Sequence, residues 1–236
     1  MANWLLSNSS GRIKRVNNVF DLCEDPPKIL TTKDLVDGRR DRNFTLLLGY
    51  EDVDLLNLDS VPGVKYENEI LEDSTKIKIL LVRDPFNFFA SRLKMLRDMQ
   101  EQGVRNPIQK IGWKGISRLW RTYAKEYLGE TNLLGDRVNV NYNDWFSNRD
   151  YRDELCQRCL GTVNRDLSVQ DVVEHGRGSS FDYTKFHGSA QKMAVLERWR
   201  YFKDDEFYLN LMRDEELVSL SNRIFGHISG TEEILK

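Results

Sequence analysis

Apolar residues fall in short runs separated by polar, proline-bearing or glycine-bearing stretches, and the spacing inside each run predicts an element. The run at 3–6 predicts a strand that ends in the polar stretch Ser7-Asn8-Ser9-Ser10-Gly11. Ile13, Val16, Val19 and Phe20 follow at helical spacing, which predicts a helix over 12–22, stopped before Pro26-Pro27 because proline cannot donate to a helical ladder. Residues 44–49 (FTLLLG) and 76–82 (KIKILLV) predict two buried strands, and 137–142 (RVNVNY) alternates as another. Asp84 is a good N-cap and Pro85 a good first helical residue, so a helix is predicted to start there and run through Met95. Further helices are predicted over 111–127, 150–160 and 190–201, with one or two more over 206–225.

Short strands joined by helices imply an α/β fold: a central, mainly parallel sheet flanked by helices. No repeat or long linker divides the chain, so one domain is expected over 1–236. Ligands of such folds sit beyond the carboxyl ends of the strands. That directs attention to two loops, 7–12 and 83–85.

Composition narrows the function. Thirty-five basic residues against 37 acidic ones give a formal charge of -2, which excludes a chain-wide basic footprint for nucleic acid. Neither a signal-like N-terminus nor an apolar run of the ~20 residues that span a bilayer is present, so no membrane partner and a cytoplasmic location are expected. Cys23, Cys156 and Cys159 do not make a disulfide framework. Cys156-x-x-Cys159 has no second pair to complete a zinc site, and its plainer reading is two semi-buried helical thiols. Trp113, Trp120, Tyr123 and Tyr127 alternate with Lys114, Arg118, Arg121 and Lys125. That pattern fits a nucleic-acid face or, more economically, an amphipathic helix with its aromatics turned inward.

The segment from Val82 to Ser91 (VRDPFNFFAS) carries the sharpest chemical signal. An arginine ends a buried strand, a capped helix follows at once, and a serine sits in its second turn. Arg83 and Ser91 can converge on one anion near the helix N-terminus, where the helix dipole also favours negative charge. The alternative is a plain cap beside a surface cation.

This Arg-Asp-Pro turn with its later serine resembles the 3′-phosphate-binding segment of sulfotransferases that use 3′-phosphoadenosine 5′-phosphosulfate (PAPS). The resemblance implies a P-loop-like sulfotransferase fold, with Arg83 and Ser91 holding the 3′-phosphate. The family's 5′-phosphosulfate loop reads Pro-Lys/Arg-Ser-Gly-Thr-Thr between a strand and a helix. Here Ser9, Ser10, Gly11 and Arg12 stand in that place, without the proline, the preceding basic residue or the threonine pair. The missing charge would come from Arg12, Lys14 or Arg15, with Lys14 as the electrophilic cation. No ordinary ATPase or GTPase loop, Gly-x-x-x-x-Gly-Lys-Ser/Thr, occurs in the chain.

Three later segments are similar to the family as well. Residues 140–146 (VNYNDWF) resemble its strand and Tyr-Glu-Asp-Leu segment. Residues 174–181 (EHGRGSSF) resemble its glycine-and-basic loop, which implies nucleotide contacts by Arg177, Gly178 and Ser179. Residues 195–199 (VLERW) resemble its Arg-Trp helix.

The implied reaction transfers a sulfuryl group from PAPS to a hydroxyl or amine of a small-molecule or glycan acceptor, with no metal. Help comes from positioning and electrostatics, as in phosphoryl transfer, plus a general base. Glu51, just after the predicted strand at 44–49, is the first choice of base, with a solvated loop acid as its plainer reading. His175 is the second, while His187 and His227 read as structural. The rivals are a nucleotide or small-molecule kinase on a related fold, and a degenerate family member that binds nucleotide without turnover.

Overall fold

A computed structural model describes residues 1–9, 12–16, 44–60, 75–104, 108–166, 169–172 and 179–235. The described chain is mixed α/β. In order it forms α1 (Ala2–Asn8), β1 (Arg12–Val16), β2 (Phe44–Leu48), a 3-10 turn (Leu55–Ser60), β3 (Ile79–Val82), α2 (Pro85–Glu101) and α3 (Ile108–Tyr127). Then come β4 (Val138–Asn141), α4 (Tyr142–Ser147), α5 (Arg149–Leu160), two 3-10 turns (Ala190–Lys192 and Arg198–Phe202), α6 (Glu206–Met212) and α7 (Glu215–Phe225). Among the described residues, no helix is long and apolar enough to cross a membrane.

The strands pair in parallel, as expected, but in two separate ladders. β1 runs beside β2 with Arg12 opposite Phe44, and β3 beside β4 with Ile79 opposite Val138. Among the described residues the four strands do not join into one central sheet.

β3 and β4 lie between two hydrophobic clusters. Successive strand side chains point to opposite faces. Leu80 and Val82 therefore enter the cluster of Phe86, Phe89, Trp120, Trp199, Phe202 and Tyr208. Ile79, Val138 and Val140 join the other, around Trp4, Trp145, Leu155, Cys156 and Cys159. Trp120 is buried, and Trp113, Tyr123 and Tyr127 pack partly buried against the first cluster, so the aromatic side of α3 faces the core. The turn from α3 to β4 is built on the fully buried Glu126. Its carboxylate accepts from Thr131 Oγ1 at 2.6 Å and from the Leu133 and Leu134 amides, each at 2.9 Å. Arg137 completes it with an ion pair at 3.0 Å.

Three predicted elements are corrected. Residues 3–6 are helical, part of α1. Short apolar runs suit either period, and here Trp4 and Leu5 are buried while Asn8 Nδ2 donates back to the Trp4 carbonyl at 2.8 Å. Trp4 Nε1 also donates to Asn164 Oδ1 at 3.0 Å, which ties α1 to the loop after α5. The predicted helix over 12–22 is a strand at Arg12–Val16, because β2 supplies a complete parallel partner; the rest of that range lies outside the described residues. The predicted helix over 190–201 is broken into the two 3-10 turns. There the Asn87 side chain takes up main-chain groups that a helix would use itself: its Nδ2 donates to the Leu196 carbonyl at 2.9 Å, and its Oδ1 accepts from the Arg198 amide at 2.7 Å.

Candidate anion-binding site

The carboxyl ends of β3 and β4 lie side by side, and each feeds a capped helix. After β3, Asp84 accepts the Asn87 amide at 2.8 Å, and Pro85 follows at the first helical position, where no N–H is needed. After β4, Asn141 Oδ1 accepts the amides of Asn143 and Asp144 at 2.9 and 3.3 Å. Burial pushes the Asp84 carboxyl above its ordinary range, against the opposing pull of the Arg83 charge and the Asn87 hydrogen bonds.

Arg83 sits between the end of β3 and this cap. Its carbonyl is held by Trp120 Nε1 at 2.9 Å, and its guanidinium lies over the Tyr142 ring, 5.1 Å from the centroid. Nη1 donates to Ser91 Oγ at 3.1 Å, and Nη2 to the Val195 carbonyl. The predicted pair Arg83 and Ser91 is therefore in direct contact.

A second guanidinium arrives from the far end of the sequence. Arg198, buried, donates through Nη1 to the same Ser91 oxygen at 3.0 Å, and through Nη2 to Ser179 Oγ. Its Cζ lies over the Phe181 ring, 5.0 Å from the centroid, and Ser180 Oγ is 3.4 Å from Nη1. Ser91 has thus used its full capacity. Its proton goes to the Asn87 carbonyl at 2.8 Å, and its two lone pairs take one arginine each. Burial, with the neighbouring Arg83 charge, lowers the Arg198 pKa to about 10, so it is still cationic at neutral pH.

Two features give this cluster its chemistry. Positive charge is concentrated on one hydroxyl: among the described residues the carboxylate paired with Arg198 is Asp182, and its Oδ2 is 3.8 Å away. The Nε atoms of both arginines are buried with no hydrogen-bond partner among the described residues. Such groups are ordinarily satisfied when buried. Together, two guanidinium groups and serine hydroxyls beside a helix N-terminus are suited to holding a tetrahedral oxyanion.

Ser179 is the third predicted residue brought to this place. Its main chain bridges Tyr183, and its Oγ is 3.3 Å from Asp182 Oδ2, which sets the loop that delivers it. The sequence places Arg198 in the Arg-Trp segment at 195–199 without marking it as a ligand. Its contact to Ser91 spans 107 residues, a separation that local spacing does not reveal.

The other predicted residues fare differently. The strand–loop–helix order expected around Ser9 and Arg12 is corrected to helix, then strand. Ser9 Oγ donates to the Leu5 carbonyl at 2.8 Å, so it closes the carboxyl end of α1, where the dipole opposes an anion. Arg12 opens β1, and Lys14 lies within it. Ser10, Gly11, His175, Arg177 and Gly178 lie outside the described residues. Glu51 is exposed; one residue on, Asp52 has φ +55° and pairs with Arg92 at 2.8 Å. Among the described residues, no hydrogen bond or ion pair joins Glu51 to Arg83, Ser91 or Arg198. His187 pairs with the Val172 carbonyl at 3.1 Å and His227 with Glu232 at 2.7 Å. Among the described residues, no group of three or more His, Cys, Asp or Glu side chains is placed to hold a metal ion. Comparison with protein-family models, with curated proteins and with solved structures finds no match to this chain.

Proposed function

We propose that this chain is a PAPS-dependent sulfotransferase of P-loop-like fold, with β3 and α2 as the strand and helix that present the ribose 3′-phosphate site. The observation that carries this reading is the direct contact of Arg83 Nη1 with Ser91 Oγ, 3.1 Å apart at the mouth of a capped helix. The buried Nε atoms on both guanidinium groups, without a hydrogen-bond partner among the described residues, fit a phosphate ligand in the same place.

PAPS, when bound, supplies the sulfuryl group for a hydroxyl or amine of a small-molecule or glycan acceptor. Arg83 and Ser91 hold the 3′-phosphate and fix the register of the nucleotide, the Ser91 proton turning from the Asn87 carbonyl to a phosphate oxygen while the Arg83 guanidinium supplies a fixed charge. Ser179, with Arg177 and Gly178 just before it in the sequence, is assigned to cover the nucleotide. Ser10, Gly11 and Arg12, with Lys14, are assigned to the 5′ end; Ser9 is left out, since its hydroxyl closes α1. Glu51 is assigned to take the acceptor proton at its carboxylate, with His175 as the alternative.

A second reading is favoured by one observation: the helix-then-strand order around Ser9 and Arg12. It suits a nucleotide-binding protein without turnover. Incubation with radiolabelled PAPS and a panel of phenols, sugars and amines separates the two. Sulfated product, lost in Arg83→Ala, supports the transferase. Binding of adenosine 3′,5′-bisphosphate with no product from any acceptor supports the binder. Stabilisation by ATP with Mg2+ alone would overturn both in favour of a kinase.

A further inference from the structure

The anion site holds more positive charge than Arg83 alone would give it. Arg83 and Arg198 meet at one oxygen, 3.1 and 3.0 Å from Ser91 Oγ. Two guanidinium groups so close repel each other unless a counter-charge lies between them. Among the described residues, the carboxylates nearby do not supply it. Asp182 stands 3.8 Å from Arg198 and is shared with the Ser179 hydroxyl. Asp84 is fully buried beside Arg83, but its oxygens are taken by the Asn87 amide and side chain at 2.8, 3.0 and 3.1 Å.

The placement of Arg198 is built, not incidental. Its amide is fixed by Asn87 Oδ1 at 2.7 Å, its guanidinium is stacked over Phe181, and the core residue Trp199 follows it. Among the described residues its Nη groups donate hydrogen bonds to the hydroxyls of Ser91, Ser179 and Ser180, with Asp182 Oδ2 farther off at 3.8 Å. Hydroxyls accept a hydrogen bond but bring no charge, so an anion improves on them. A phosphomonoester carries about -1.5 to -2 at neutral pH, and a diester or sulfate ester carries about half of that.

We infer that Arg198 is the specificity-determining residue of this site. It makes the site select a terminal phosphomonoester over a hydroxyl or a singly charged ester at the same ribose position. The inference deepens the 3′-phosphate reading above and rests on it. It also assigns the second cation to Arg198 of the carboxyl-terminal segment, where the sequence pointed to Arg177.

Adenosine 3′,5′-bisphosphate and adenosine 5′-monophosphate differ only in the 3′-phosphate, so their affinity ratio reads the site directly. Both are titrated by calorimetry into the wild type, Arg198→Gln and Arg198→Lys at neutral pH without metal. The wild type is expected to favour the bisphosphate. Loss of one charge-assisted contact is expected to lower that preference about 30-fold in Arg198→Gln, with monophosphate affinity within about threefold of wild type. Arg198→Lys, a point charge without the planar fork, is expected to fall in between, and it decides alone on the same ratio if Arg198→Gln does not fold. A wild-type preference that survives in both variants overturns the role of Arg198 while leaving the 3′-phosphate reading intact. A wild type that does not distinguish the two nucleotides overturns that reading, and the inference with it.

Discussion

Asn87 holds Arg198 in place: Asn87 Oδ1, on the first turn of α2, accepts the main-chain N–H of Arg198 at 2.7 Å. The same side chain donates from Nδ2 to both oxygens of Asp84, at 3.0 and 3.1 Å, and to the Leu196 carbonyl at 2.9 Å. One buried amide therefore joins the cap of α2 to the segment that carries the second arginine.

Asn87→Ala is expected to cost about 2–4 kcal/mol of stability, since it leaves several buried polar groups without partners. Urea denaturation of the variant and the wild type measures this. An unchanged midpoint would mean that the Arg198 segment is held by packing alone.

Glu126 supports the turn from α3 into β4, with its side chain fully buried and that of Arg137 9% exposed. Removing one partner of such a pair leaves the other charge buried and unpaired, so Glu126→Ala is expected to cost about 3–5 kcal/mol. Chemical denaturation tests it, and a loss below about 1 kcal/mol, the range of an exposed pair, would contradict the structure.

Stability is expected to fall in acid. Hydrogen bonds from Thr131, Leu133 and Leu134, with the Arg137 charge, overcome burial and hold Glu126 below its ordinary 4.5. The Arg152 hydrogen bond holds Asp166 below 3.8. A carboxylate with a lowered folded-state pKa stabilises the fold above its unfolded value, and that contribution is lost as pH falls through the folded one. Asp84 has the opposite sign: raised by burial, its contribution is present below 3.8 and lost as pH rises through its folded value. The melting temperature should therefore decline below about pH 4.5, with a shallower decline in Glu126→Gln. Melting curves across the acid range, compared between the two proteins, read the difference.

Cys156 and Cys159 are buried in the cluster around Trp145, and burial pushes both thiols above their ordinary range. Thiolates react and buried thiols do not, so a disulfide reagent should label these two slowly in the native protein and promptly in denaturant. Mass mapping of the labelled residues checks this; fast native labelling would contradict the packing of α5.

The parts of the fold legible in the sequence were those with local causes. The β3–Asp84–Pro85–α2 unit follows from a buried apolar run, a capping carboxylate and a proline, all within one stretch, and the pair Arg83 and Ser91 follows from helix spacing. α3, α5, α6 and α7 are similarly readable from periodicity. The ends of the chain's information lie where distant partners decide. Residues 3–6 are helical because Trp4 finds Asn164, and 12–16 are extended because β2 pairs with them. The helix over 190–201 is interrupted because Asn87, more than a hundred positions away, takes its main-chain groups. Arg198 was hidden for the same reason.

The central claim is that Arg83 and Ser91 grip one ribose-linked phosphate, and calorimetric titration with adenosine 3′,5′-bisphosphate in metal-free buffer tests it most directly. The wild type should bind, Arg83→Ala should bind at least about 100-fold more weakly, and Ser91→Ala, which removes only the shared hydroxyl, about tenfold more weakly. No binding by the wild type, or equal affinity in Arg83→Ala, would contradict the account.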